Sequence, residues 1–183
     1  MIPKYKREKV NKKFLMIIAG IIFSMLILSG CGYHPAKFAN PLLENVSSIA
    51  VPYFKNKTFE PELEAIFSNA FANEFTESRR LRVVSRHEAD VVLCGTVKKL
   101  VDDTIAYSRD DKALEYRVYV ELDISLEDRL SGRVLWKRKN LKHNEEFPVG
   151  SSIVISETTK RAALITLAED IAERVHDNIM QGF

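Results

Sequence analysis

A chain of 183 residues with 27 basic and 25 acidic side chains has room for one domain with a real core. Six of the cations and one acid fall in the first 30 residues, so the remaining 153 carry 21 cations against 24 acids, a net of −3. That balance removes the electrostatic support a nucleic-acid-binding protein would need.

The N-terminus opens on a basic head, Lys4, Lys6, Arg7, Lys9, Lys12 and Lys13, followed by an apolar run of 15 residues from Phe14 to Leu28 and then Ser29-Gly30-Cys31. A basic head, a short apolar stretch and small residues before a break mark a signal peptide. The run falls short of the roughly 20 residues a helix needs to cross hydrocarbon. Leu28-Ser29-Gly30-Cys31 resembles the lipobox, where a lipid is attached to the Cys thiol and the chain is cut before it. An uncleaved signal anchor with Cys31 a bystander is the other reading. The lipobox is preferred because Leu, two small residues and Cys all fall at the end of the apolar run. Residues 1–30 are thus read as a signal peptide and Cys31 as the lipidated start of the mature chain. Cys94 is then the one remaining thiol, so no disulfide forms within the chain, and its apolar surroundings predict a buried small residue.

Residues 31–45 read as a tether, with Pro35 and Pro41 discouraging regular structure. Residues 46–183 form the domain. Ile49, Val51 and Tyr53 predict a first strand ended by the polar turn Lys55-Asn56-Lys57-Thr58. Pro61 suits the first turn of a helix. Leu63, Ile66, Phe67, Ala70, Phe71 and Phe75 recur at steps of three and four and so share one helical face. Leu81 to Ser85 reads as a short strand and Val91 to Val101 as a longer one. Tyr116 to Leu126 alternates apolar and polar residues almost without fault, which predicts a strand with one dry and one wet face. Asp128 to Gly132 is a hairpin turn, and Arg133 to Leu141 returns as partner. A second helix runs from about Ser156 to Gln181, with Leu164, Ala168, Ile171, Val175 and Ile179 on one face and Gly182 at its end. One-sided strands with two amphipathic helices predict an α+β two-layer sandwich, its helices on one face of a mixed, mostly antiparallel sheet of about four strands.

His34, His87, His143 and His176 show no metal-ligand spacing. The sequence has no Gly-x-Ser-x-Gly elbow, no His-Glu-x-x-His and no phosphate-cradling glycine loop. The reading is a binding or scaffolding protein without cofactor, not an enzyme. Its most distinctive polar stretch is Arg133 to Lys142, with the five cations Arg133, Lys137, Arg138, Lys139 and Lys142 and no acid. Such a strand either meets phosphate or carboxylate groups or shields a sheet edge from stray pairing, and the two roles are compatible.

Cys31-Gly32-Tyr33, Ile49 through Thr58, Leu63-Glu64, Ala89-Asp90-Val91-Val92-Leu93-Cys94-Gly95 and the Ala-rich closing helix together resemble the LptE family of lipopolysaccharide-assembly lipoproteins. The resemblance covers essentially the whole mature chain. It implies a lipid-anchored protein on the periplasmic side of the outer membrane, with Gly32 in place of the Asp that retains many lipoproteins in the inner membrane. It implies a 1:1 complex with an LptD-like β-barrel that the domain plugs and helps to assemble, and a fold of two helices on a four-stranded sheet. It further implies lipopolysaccharide binding through basic residues. Strict alternation would put Arg133, Lys137 and Lys139 on one face and Arg138 and Lys142 on the other. Trp136 shares the Arg138 side and is expected to seek the core, so the Arg133 set is the predicted ligand surface.

The first half is also similar to LpoB-like activators of peptidoglycan synthases and to CsgG-like export proteins. Those activators usually carry a long disordered tether, whereas about 15 residues here reach about 50 Å at most. A periplasmic hydrolase lacks its nucleophile and base in this sequence.

Overall fold

Alternation carries the middle of the sheet. In the computed structural model, which describes residues 40–110, 113–150 and 152–182, the alternating stretch lies within a strand from Ala113 to Asp128. The expected signal segment, residues 1–30, and Cys31 lie outside the described residues. The chain forms β1 (Ser48–Ala50), β2 (Lys55–Asn56), α1 (Leu63–Ser78), β3 (Arg82–Val83), β4 (Val91–Tyr107), β5 (Ala113–Asp128), β6 (Val134–Pro148) and α2 (Ile153–Gln181). A 3-10 turn at Pro41–Leu43 precedes them and sends Leu43 into the core.

The two helices pack on a mixed sheet of six strands in the order β3-β1-β4-β5-β6, with β2 also paired to β4. The expected count of about four is corrected to six: β3 falls within the short strand expected at Leu81 to Ser85, whereas β2, only two residues long, leaves no alternation signal. Both pair in parallel, β3 with β1 and β2 with β4. Lys55 and Asn56, expected to be the start of a turn, instead align with Thr96 and Val97 of β4. The turn begins one step later, where the Asn56 side chain accepts bonds from the backbone and hydroxyl of Thr58 at 2.9 and 2.8 Å. β4, β5 and β6 are antiparallel and long. β4 continues six residues past the expected Val101, because its polar residues Asp102, Asp103 and Thr104 find partners on β5.

One core joins α1, α2 and the inward side of the sheet. Phe67, Phe71 and Phe75 of α1 meet Leu122, Ile124 and Leu126 of β5 and Leu167, Ile171 and Val175 of α2. Each such side chain contributes roughly 1.5–3 kcal/mol when fully buried. Phe54 stacks on Phe67 and tilts against Phe71, with ring centroids 6.2 and 5.2 Å apart. Its ring lies against Gly95 of β4, where any Cβ would collide with the ring. That close approach is why the Ala89-to-Gly95 stretch ends on glycine.

Asp90 explains the other half of that stretch. Its carboxylate accepts the backbone N–H and the hydroxyl of both Ser47 and Ser48, at 2.8–2.9 Å, and latches the start of β1 to the start of β4. Those bonds, the Ser47 backbone N–H first, hold its pKa down at about 2 against the usual 3.8.

Candidate functional site

The side of the sheet away from the helices carries the polar members of β5: Arg117, Tyr119, Glu121, Asp123, Ser125 and Glu127. What β6 adds to this face depends on register, because residues opposed across an antiparallel pair share a face. Trp136 opposes Leu126, Arg138 opposes Ile124 and Leu141 opposes Leu122. Three steps on β6 therefore match two on β5 between Arg138 and Leu141, which is a β-bulge, and Asn140 sits there with φ +52°. A second bulge lies between Val134 and Trp136.

The bulges correct the expected grouping of the five cations. Lys137 opposes Ser125 and Lys142 opposes Glu121, so both lie on the open face. Lys139 lines the same open-face groove as Lys137. Arg138 alone turns to the helix side, beside Trp136, which packs half-buried against the core as expected. Arg133 precedes β6 in the hairpin turn, where its carbonyl accepts the Asp128 N–H at 2.9 Å. Strict alternation failed because each bulge inserts one residue and inverts every side chain beyond it. Asn140 was the available signal, since Asn tolerates the left-handed conformation such a bulge demands.

The groove has a volume of about 560 Å³. Lys137, Lys139, Lys55 of β2 and Arg86 supply its cations, Asp123 and Glu127 its carboxylates, and Tyr53 and Val134 an apolar rim. Sequence reasoning missed Lys55 and Arg86, which come from a strand and a loop distant in the chain. Both carboxylates are already engaged. Asp123 accepts the Asn140 N–H at 2.8 Å and lies 3.5 Å from the Lys98 ammonium, and the Asn140 bond is the main cause of its lowered pKa. Glu127 accepts the Ser125 hydroxyl at 2.8 Å. Lys98 is occupied as well. It pairs with Glu121 at 3.0 Å and donates to the Asn140 side chain, and the Glu121 bond is the first cause of its raised pKa. Lys55, Arg86, Lys137 and Lys139 thus face the groove with no ion pair among the described residues, an arrangement suited to an anionic ligand. Cys94 lines the groove half-buried, and burial pushes its thiol pKa up, away from reactivity.

Lys142 lies farther along the open face, 3.9 Å from Glu121. On the helix side a separate brace joins the layers, where Lys160 of α2 meets Glu60 at 2.7 Å and Asp102 of β4 at 2.8 Å. Burial opposes the charge on Lys160, but the two carboxylates outweigh it and raise its pKa. Among the described residues no cluster of His, Cys, Asp and Glu is placed to hold a metal.

The described domain thus sets two helices on one side of a mixed sheet and, on the other, a groove whose four cations have no ion pair among the described residues. The chain belongs to the LptE family of lipopolysaccharide-assembly proteins, whose pattern spans residues 46–179. No curated protein matches the chain. Among solved structures, uncharacterized lipoprotein B from Nitrosomonas europaea is similar, with 8% identity over 80% of this chain and 88% of that one and a TM-score of 0.51. The hypothetical protein CT253 from Chlamydia trachomatis is similar with 8% identity, 74% and 96% coverage and a TM-score of 0.50. At these identities the likeness is one of fold.

Proposed function

We propose that this protein is an outer-membrane lipoprotein, anchored through lipid on Cys31 after removal of residues 1–30. In this reading the residues that follow Cys31 tether a single domain on the periplasmic side, and the domain begins by Asn40 and Leu43, a few residues ahead of the expected start at 46. The domain plugs an LptD-like β-barrel as a 1:1 complex, helps it to assemble, and assists lipopolysaccharide on its way to the cell surface. Membership of the LptE family carries the reading. The lumen of such a barrel is polar, and the open face of the sheet offers it a polar surface.

Lipopolysaccharide contact is assigned to the basic groove, with Lys137 and Lys139 as its centre and Lys55 and Arg86 opposite. Lys142 flanks the groove, while Arg133 in the turn and Arg138 on the helix side contribute less. The groove's free cations would meet phosphate oxygens through charge-assisted bonds, and Tyr53 and Val134 would meet apolar parts of the same molecule.

A pull-down of the tagged full chain from its own outer membrane in mild detergent tests the plug. Recovery of one large β-barrel at near-equal stoichiometry supports it, and recovery of a penicillin-binding protein or of no barrel rejects it. For the groove, Lys137→Ser with Lys139→Ser should weaken lipopolysaccharide binding while the fold stays intact. Unchanged binding rejects the assignment.

A further inference from the structure

β6 is the last strand of the sheet, 15 residues long from Val134 to Pro148, and its outer side pairs with no strand among the described residues. Bare edges of this length are usually defended by charge, bulges or a covering loop. This edge has its bulge, but its charges are sorted by sign along the strand. Lys137, Arg138 and Lys139 occupy the first half, and Glu145 and Glu146 the second. Charges of one sign along a whole edge would repel any copy of themselves. Charges segregated in this way repel a copy arriving parallel and attract one arriving antiparallel.

We infer that β6 is an interface between two copies of this chain, formed by antiparallel β6–β6 pairing about a two-fold axis at Lys142. The register follows from the bulge and the charges together. When Asn140 is left out of the ladder on both strands, as it is in the β5–β6 pairing, opposing Lys142 to Lys142 gives each side chain a partner on its own face, and among the registers that do so it is the one that sets two cations of each strand against two acids of the other. Leu141 then opposes His143, Lys139 opposes Asn144, Arg138 opposes Glu145, Lys137 opposes Glu146 and Trp136 opposes Phe147. Arg138 and Glu145 both lie on the helix side of the strand, and neither has an ion-pair partner among the described residues. The two-fold supplies each with the other, twice. At the axis, two Lys142 ammonium groups approach, and each has the Glu121 carboxylate of its own β5 at 3.9 Å to offset the repulsion. A single strand pair buries less surface than a stable dimer interface needs, so the association is reversible and concentration-dependent.

The test uses the purified full chain in detergent, without barrel or lipopolysaccharide, in a Cys94→Ser background. Opposed Cβ atoms in an antiparallel pair lie about 4.5–5.5 Å apart, near the separation a disulfide requires. Lys142→Cys should therefore oxidise to a covalent dimer. Asn144→Cys, two residues off the axis, and the Cys94→Ser parent should give at least about tenfold less, a difference of about 1.4 kcal/mol in effective pairing. Adding Arg138→Glu should abolish the Lys142→Cys cross-link, and Arg138→Glu with Glu145→Arg should restore it. Thermal melting of each variant separates loss of pairing from loss of fold. A folded Lys142→Cys chain that stays monomeric, equal cross-linking at 142 and 144, or no rescue by the charge swap overturns the inference.

Discussion

The two faces of the β4–β5–β6 sheet come from the same residues taken alternately, yet different forces hold them. On the covered face, Val118, Val120, Leu122, Ile124 and Leu126 are buried against helices, and their placement is fixed by the water they exclude. On the open face, Glu121, Asp123, Ser125 and Glu127 are fixed by short-range bonds to Lys98, Asn140 and one another, and four cations have no ion pair among the described residues. The covered face makes the domain, and the open face is the one the proposed binding would use. Substitutions on the two sides should therefore fail in different ways.

The largest effect belongs to the covered face. Phe71→Ala removes a fully buried ring and should cost about 3–5 kcal/mol, read as a lower urea midpoint with an unchanged slope. Next comes the Asp90 latch. Asp90→Asn should cost about 1–2 kcal/mol, the lower figure allowing for solvent screening at this exposed site. It should also flatten the acid limb of the stability curve. Because the folded carboxyl titrates at about 2 and the unfolded one at 3.8, its contribution is complete above about pH 4 and is lost as pH falls towards 2. A variant that keeps the parent's full pH dependence between 4 and 2 would place that dependence elsewhere.

Asn140 is where the faces are assigned. Asn140→Val places a β-branched residue at φ +52° and should cost about 1–2 kcal/mol, while Asn140→Gly keeps the bulge. If Asn140→Val also lowers lipopolysaccharide binding out of proportion to stability, the bulge is what aims Lys137 and Lys139. The smallest stability change belongs to Lys137→Ser with Lys139→Ser, within about 0.5 kcal/mol. A larger loss would mean the open face contributes to the fold after all.

Much of the covered face was legible in the sequence, because burial imposes a period. The spacing from Leu63 to Phe75 and the alternation from Tyr116 to Leu126 each report one dry face, and Gly182 adopts the positive φ, +81°, of a helix end. The open face was legible only in its ingredients. A run of cations is visible in Arg133 to Lys142, but its distribution over two faces depends on bulges that carry no hydrophobic signal. The pairing of Lys137 and Lys139 with Lys55 and Arg86 depends on β2, a two-residue strand. Asp90 and Gly95 were visible as part of a family pattern, but their reasons, a hydrogen-bond latch and a ring-to-backbone contact, arise only from contacts between residues far apart in the chain.

The seat of Asn40 has a mechanical consequence. Its side chain donates to the Ile179 carbonyl at 2.8 Å, and its Cα lies 3.4 Å from where a Cβ on Gly182 would stand. The chain therefore enters the domain at the same corner where it leaves. Tension applied ahead of residue 40 is met first by the Asn40 bond to the last turn of α2 and by Leu43 in the core. A pull at that corner would load the 3-10 turn and the end of α2 before it reached β1.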